Sequence, residues 1–173
     1  TTGVQNTLIG GVAGDALTTG TRNIAIGFSA LSSEDTGGRN VAVGRSALGS
    51  LDAGQDGYNV AIGDDAGAAM STGVQNTIIG GLAGDALTSG DNNVVMGYLA
   101  LSSETLGDRS VAIGNFALQN QNNTSDTDVY NVAIGYDAGN DITTGVRNTL
   151  IGGLAGDAIT TGGDNVSLGY NSL

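Results

Sequence analysis

The stretch that decides the fold runs from Asn40 to Leu48 and reads N-V-A-V-G-R-S-A-L. It contains a short β-branched segment with alternating side chains, then a glycine, then a second small apolar element. Alternation with a period of two and β-branched residues are typical of a strand. A glycine in every copy of a repeat disfavours helices, because each one costs about 1 kcal/mol relative to alanine. The stretch therefore predicts one short strand followed by a turn.

The same pattern, N-x-x-Φ-G with Φ apolar, occurs ten times along the chain. The copies begin at Asn6, Asn23, Asn40, Asn59, Asn76, Asn93, Ser110, Asn131, Asn148 and Asn165. Most starts are 17 residues apart, and two spacings are 19 and 21. A unit of this length cannot fold alone and buries its apolar side chains only by stacking on its neighbours. We expect an all-β fold, a parallel β-solenoid (β-roll) of about ten 17-residue coils.

A slower period is superposed on the first. The residue after the repeated alanine is glycine in some copies and leucine in others, in the order Gly14, Leu31, Leu48, Gly67, Gly84, Leu101, Leu118, Gly139, Gly156 and Leu173. Blocks of four units therefore start near residues 6, 76 and 148. The composition shows no break, so we expect residues 1–173 to form a single repeat array, a window of a longer fibre protein.

The composition excludes many kinds of chemistry. The chain has 31 glycines and no Pro, Cys, Trp or His, and its five basic residues are all Arg. It therefore lacks the residues for a serine–histidine triad, a thiolate nucleophile, a Schiff base or a histidine metal site. A net charge of -12 opposes nucleic acid and anionic membranes, and no apolar run could span a bilayer. We expect no enzyme activity, no catalytic residues, no nucleic-acid partner and no membrane insertion.

The acidic residues suggest calcium only weakly. Candidate ligands are Asp15, Asp64, Asp65, Asp85, Asp126, Asp128 and Asp157. Ca²⁺ needs six to eight oxygen ligands, and neither an EF-hand loop nor a calcium-binding nonapeptide repeat is present. Solubility explains the acids more simply, so the expectation is no cofactor and no metal.

The two faces of each strand suggest an oligomer. Val41 and Val43 lie on one face, and Ala42 and Gly44 on the other. We expect the β-branched face to fill the coil interior. The small-residue face would then point outward without being polar, which predicts a second chain packed closely against it. A monomeric solenoid that buries both faces is the alternative.

The repeated asparagines and glycines are predicted to form structural columns. Asparagine tolerates turn geometry and can stack its amide on the copy one coil away. The residues of this predicted ladder are Asn23, Asn40, Asn59, Gly27, Gly44 and Gly63.

The third unit of each complete block carries the extra residues. These form a first loop, residues 49–58, and a second loop, residues 119–130. Insertions at one repeat position map to one face, which is often the binding face. An aromatic ring among Asp, Asn and Gln side chains can stack on a sugar and hydrogen-bond to it, although a plain solvated spacer is the simpler alternative. The predicted ligand-binding residues are Asp52, Gln55, Asp56, Tyr58, Asn122, Asn123, Asp126, Asp128 and Tyr130.

Two kinds of fibre repeat resemble these units. N-V-A-V-G-R-S-A-L at Asn40, S-V-A-I-G-N-F-A-L at Ser110 and N-V-A-I-G-Y-D-A-G at Asn131 resemble the head repeat of trimeric autotransporter adhesins. The T-T-G-V-R-N-T-L-I-G stretch at Thr143 resembles a repeat of bacteriophage tail fibres. Adhesin-head units are usually shorter than the 17 residues of most units here.

The resemblance implies a homotrimeric, extracellular structural or adhesive fibre segment, on a virion tail fibre or a bacterial surface. Its partners would be other copies of the chain and a host-surface glycan or protein. An alternative is a self-assembling filament whose solenoid ends stack. A third hypothesis is an ice-binding solenoid, suggested by Thr pairs such as Thr18-Thr19, which occur in only about half of the units.

Overall fold

The computed structural model describes residues 2–173, so Thr1 lies outside it. The strands are β1 Thr7–Ile9, β2 Ile24–Ile26, β3 Val41–Val43, β4 Val60–Ile62, β5 Thr77–Ile79, β6 Val94–Met96, β7 Gly107–Asp108, β8 Val111–Ile113, β9 Thr127–Asp128, β10 Val132–Ile134, β11 Thr149–Ile151 and β12 Val166–Leu168. Between residues 2 and 173 the secondary structure is strands and turns without helix, so no helical membrane span occurs there.

The strands stack as the coils of a solenoid, which confirms the predicted fold. The ten three-residue strands form one sheet in chain order, and β7 pairs separately with β9. All pairs are parallel and in register, as in Ala25 opposite Ala42. The extra residues leave this register intact, since Ala42 faces Ala61 and Ala112 faces Ala133. Coils are numbered 1–10 below in the order of their starting residues.

The two faces of each strand are reversed relative to the prediction. Ala42, in the middle of β3, is fully buried, whereas Val41 and Val43 lie partly exposed on the outside. The expectation that the β-branched face fills the interior is therefore wrong, and so is the inference that the small-residue face carries a second chain. The interior already holds Leu48 and Leu51 from the turns of the same coil, which leaves room for only a small strand side chain.

The four-coil period reflects complementary packing in the core. Coils 2, 3 and 7, which have leucine after the repeated alanine, have alanine in the middle of the strand, whereas coil 6 combines Leu101 with the larger Val95. Two coils with glycine there, coils 4 and 5, share one large strand residue, the buried Ile78. A Cβ on Gly67 would lie 3.1 Å from Ile78 Cδ1, and a Cβ on Gly84 would lie 3.6 Å from the same atom. Leu150 fills the equivalent space beside Gly139 and Gly156. Large side chains thus alternate between the strand and the turn.

A column of asparagines links successive coils. The backbone N–H of Asn40 donates to Asn23 Oδ1 at 2.9 Å, and that of Asn59 donates to Asn40 Oδ1 at 3.2 Å. Most side-chain amides of the column also donate to a turn carbonyl 14 residues later in the same coil, as Asn23 Nδ2 does to Gly37 O at 3.0 Å, whereas Asn40 Nδ2 is buried without a partner. These amides are fully buried, so the column satisfies backbone groups that water cannot reach.

The glycine column lets the coils approach closely. Gly44 has φ of +137°, and a Cβ there would lie only 2.1 Å from the carbonyl oxygen of Gly63. No side chain fits at that distance. The strict glycine at this position is therefore required by stacking and not by local turn chemistry alone.

Candidate functional site: two long loops and an outer apolar face

The two long loops leave the solenoid at equivalent places in coils 3 and 7. They stand four coils apart, about 19 Å at the usual spacing of strands in a sheet. Strand β9 belongs to the second loop and pairs with β7 of the preceding coil. The first loop has no strand of its own among the described residues. The array thus presents two related but differently built loops.

A buried carboxylate organises the second loop. Glu104 is fully buried, and its Oε1 accepts N–H groups from Thr105, Leu106 and Gly107 in its own turn. Its Oε2 accepts the side-chain amides of Gln121 and Asn123, each at 2.9 Å. The carboxylate thereby joins the turn of coil 6 to the start of the loop in coil 7. These donors satisfy the oxygens of a carboxylate that water does not reach.

Glu34 has the same role at the first loop. It is fully buried, and it accepts the N–H of Gly37 at 2.6 Å and that of Ala53 in the loop at 3.1 Å. Oxygens of Glu34, Asp35 and Asp52 lie within 4.8 Å of one another and form the one group of metal-ligand type found among the described residues. Three carboxylates supply only part of a calcium coordination shell.

The second block lacks this carboxylate group. Thr105 and Asn122 occupy the places of Asp35 and Asp52, and Thr105 Oγ1 donates to Asn122 Oδ1 at 3.1 Å. The two loops therefore share the buried glutamate but differ in the charge around it.

Each loop ends in a tyrosine packed over an arginine of the preceding coil. Arg39 lies 5.2 Å from the ring centre of Tyr58 and pairs with Asp56 at 2.6 Å. Arg109 lies 5.8 Å from the ring of Tyr130 and pairs with Asp128. These cation–π and ionic contacts are at the surface, so each contributes modestly to stability.

The predicted ligand-binding residues divide into two groups. Most are exposed, namely Asp52, Gln55, Asp56, Tyr58, Asn122, Asp126, Asp128 and Tyr130. The two tyrosines remain about half exposed, at 51% and 49%, so part of each ring stays accessible. Asn123 differs, because it is buried and its amide donates to Glu104. Its side chain holds the loop in place and does not face a ligand.

Carboxylates crowd together beside the second loop. Partial burial raises the pKa of Asp108 above its ordinary value, and the negative charges of Asp126 and Asp91 raise it further.

Burial likewise raises the pKa of Asp85, with a smaller contribution from Asp65. Asp65 also pairs with Arg45, as does Asp64.

The outside of the sheet is an uncovered apolar surface. We call it the outer stripe and define it as the first and third residues of the ten three-residue strands. Seventeen of these residues are apolar and three are Thr, with no charged residue among them. Ile62 in coil 4 and Ile134 in coil 8 are 40% and 37% exposed although both lie well inside the array. The outer stripe therefore runs unbroken along the rod.

The first residue of three of the threonine pairs does not present a free hydroxyl. Thr18, Thr88 and Thr143 each donate through Oγ1 to a backbone carbonyl of the next coil, at 3.0–3.2 Å. These hydroxyls therefore point along the solenoid, which weakens the ice-binding alternative.

Glu34 and Glu104 are not among the residues predicted from the sequence, although the sequence contains a signal for them. Both occur eleven residues after the starting asparagine, where other coils place a buried residue such as Leu51 or Met70. A carboxylate in an apolar column, directly before a coil with extra residues, indicates a buried acceptor for loop N–H groups.

Comparisons with protein-family models, with curated proteins and with solved structures give no match. The parallel β-solenoid is thus established by the structure alone. The link to adhesin heads and tail fibres rests on the repeat motif.

Proposed function

We propose that this chain is a stiff structural segment of an extracellular fibre, assembled as a homotrimer through the outer stripe. The observation that carries the proposal is the uncovered apolar face along all ten coils. The rest of the surface holds the charges of a chain with net charge -12, so the outer stripe is the natural place for close contact between like-charged copies.

The dimensions of the outer stripe fit an interface. Ten strands span about 43 Å and three residues about 10 Å, so the stripe covers on the order of 400 Å² in projection. An exposed apolar patch of roughly 300–600 Å² is the largest that a typical monomer carries, and such patches often serve a function. A sheet face packed on other sheet faces would remove it from water. The number of three chains comes from the resemblance to trimeric adhesin heads.

In this arrangement the solenoid acts as a rod that displays its loops. Parallel ladder hydrogen bonds and the asparagine column make each coil rest on the next. The exposed Tyr58 and Tyr130 loops would then recur three times around the trimer. Weak contacts with a host surface would gain strength from their number, with no single tight site.

The test is solution mass by light scattering during size exclusion. We expect a mass of about 51 kDa, three times the 17.0 kDa chain. Ile62→Glu and Ile134→Glu place a charge inside the stripe and should give a folded chain of monomer mass. The matched control is Phe28→Glu, which changes a side chain that is 63% exposed but off the stripe, and which should leave the trimer intact.

Three outcomes would contradict the proposal. A wild-type mass of 17.0 kDa would show that the stripe is unpaired in solution. Variants of the stripe that keep the trimer would place the interface elsewhere. A peak in the void volume would favour the filament alternative. Circular dichroism of each variant separates loss of assembly from loss of folding.

A further inference from the structure

Three aromatic rings stack on one another at the corner after the sheet in coils 6–8. Tyr98 and Phe116 have ring centres 5.8 Å apart at 81°, and Phe116 and Tyr136 have ring centres 5.8 Å apart at 88°. Edge-to-face pairs of this kind hold the rings in fixed orientations. Tyr98 and Tyr136 are nevertheless 47% and 56% exposed. We call Tyr98, Phe116 and Tyr136 the aromatic ladder.

The backbone shows why the rings meet. Tyr98 and Tyr136 directly follow the repeated glycine of their coils, whereas Phe116 stands one residue later because Asn115 occupies that place. Phe116 adopts φ of +63°, and its N–H donates to the carbonyl of Tyr98. The asparagine is anchored too, since its Oδ1 accepts the Tyr98 N–H at 3.0 Å.

A polar rim lies beside the rings. Asn140 Nδ2 is within 3.1–3.2 Å of the Phe116 carbonyl, Gln119 Oε1 and Asp137 Oδ1. Asn120 Nδ2 in turn donates to Asn140 Oδ1 at 3.1 Å. Next to this network is an open cleft of about 110 Å³, lined by Asp137, Asn140, Asp141 and Asp157. The polar network therefore contacts the backbone of Phe116, and the cleft begins at Asp137, the residue after Tyr136.

We propose that the aromatic ladder and this cleft bind an extended, neutral oligosaccharide that lies along the rod. The C–H faces of sugar rings pack on aromatic faces, and the hydroxyls donate to and accept from amides and carboxylates. Tyr98 and Tyr136 are two coils apart, about 10 Å at the strand spacing, which suits alternate sugars of a straight β-1,4-linked chain. The acidic surface disfavours sulfated or carboxylated glycans.

The first block provides an internal comparison. At the places of Tyr98, Asn115 and Tyr136 it has Phe28, Arg45 and Asp64. There Arg45 pairs with Asp64 at 2.8 Å, so a salt bridge replaces the ring stack. The proposed site therefore exists in coils 6–8 and has no counterpart in coils 2–4.

The site is independent of the proposed trimer. The aromatic ladder lies outside the outer stripe and comes from a single chain. Failure of the trimer in the mass measurement would leave the glycan proposal standing, and failure of glycan binding would leave the trimer standing.

The experiment is a titration with cellohexaose and chitohexaose, followed by tyrosine fluorescence and by calorimetry. The chain has five tyrosines and no tryptophan, so the ring signal comes from few residues. We expect saturable binding that Tyr98→Ala and Tyr136→Ala each weaken about tenfold, which corresponds to about 1.4 kcal/mol and is within the range of one aromatic contact. Tyr98→Phe should retain binding because the ring remains.

Two controls address the alternatives. Phe28→Ala removes an exposed ring at the place in the first block that corresponds to Tyr98, and it should leave the affinity unchanged. Maltohexaose, which is α-linked and coiled, should bind more weakly than cellohexaose. The proposal is overturned if neither β-linked probe saturates, or if Phe28→Ala lowers the affinity as much as Tyr98→Ala does. It is also overturned if Tyr98→Ala lowers the solution mass without affecting titration, because the ladder would then be a contact between chains.

Discussion

Ile78→Ala tests whether the four-coil period is a packing device. Ile78 is fully buried, and its Cδ1 atom fills the space that is left because Gly67 and Gly84 have no side chains. The substitution deletes three carbon atoms, about 2.4 kcal/mol of transfer free energy at roughly 0.8 kcal/mol for each. Since neither glycine has a side chain to fill the cavity, we expect a loss of about 3–5 kcal/mol in the free energy of unfolding.

The decisive step is the second substitution, Gly84→Leu. Gly84 has φ of +50°, and Leu31 and Leu48 hold the equivalent places at +50° and +48°. A leucine is therefore compatible with this backbone. Alone it should destabilise by about 1–3 kcal/mol through overpacking, because its Cβ would lie 3.0 Å from Leu87 Cδ1 and its side chain would meet Ile78. Combined with Ile78→Ala it should fill the cavity and make coil 5 resemble coil 3.

The assay is urea unfolding of the wild type, both single variants and the double variant, at one protein concentration. We expect the double variant to be more stable than the sum of the singles predicts, by about 2 kcal/mol or more. The control combines Gly84→Leu with Leu150→Ala, four coils away, where the effects should add. Additive effects for Ile78→Ala and Gly84→Leu would refute the packing argument.

Two further predictions concern the second loop. Glu104→Gln replaces an acceptor of the Gln121 and Asn123 amides by a donor, so it should cost about 2–3 kcal/mol in urea unfolding and speed amide exchange in residues 119–130; unchanged exchange would contradict the anchoring role. Asp108→Asn keeps an acceptor for the Asp91 N–H. Because the folded-state pKa of Asp108 is raised, the contribution of Asp108 to stability is lost as pH rises through that pKa. The variant should therefore be more stable than the wild type at pH 7. This advantage should disappear below the ordinary aspartate pKa. Equal unfolding curves at both pH values would oppose this.

The repeat made the fold predictable. Ten copies of a strand, a glycine and a turn specify the number of coils and their parallel order, because each unit can bury its apolar residues only on its neighbours. The positions of the two long loops could also be predicted from the sequence. The strands before and after the extra residues keep the same register, so the extra residues must lie in the loops between them.

The loops were less predictable than their positions. Tyr58 and Tyr130 are exposed as predicted for surface residues, but Asn123 turned inward because Glu104 needs donors in the interior. The aromatic ladder was not predicted as a cluster. Its rings come from three coils. Phe116 stands one residue later in its unit than the two tyrosines do in theirs, and its positive φ brings its ring between them.

By itself, the sequence determined the period, the parallel stacking and the glycine column, because these follow from unit length and from which residues recur. Only the tertiary structure decided which strand face lies inside. A period of two separates Ala42 from Val41 and Val43, but both faces are apolar and neither is marked as the interior. The choice depends on how much space the turns leave within a coil. Leu48 and Leu51 occupy that space, so alanine faces inward and the valines form the outside of the rod.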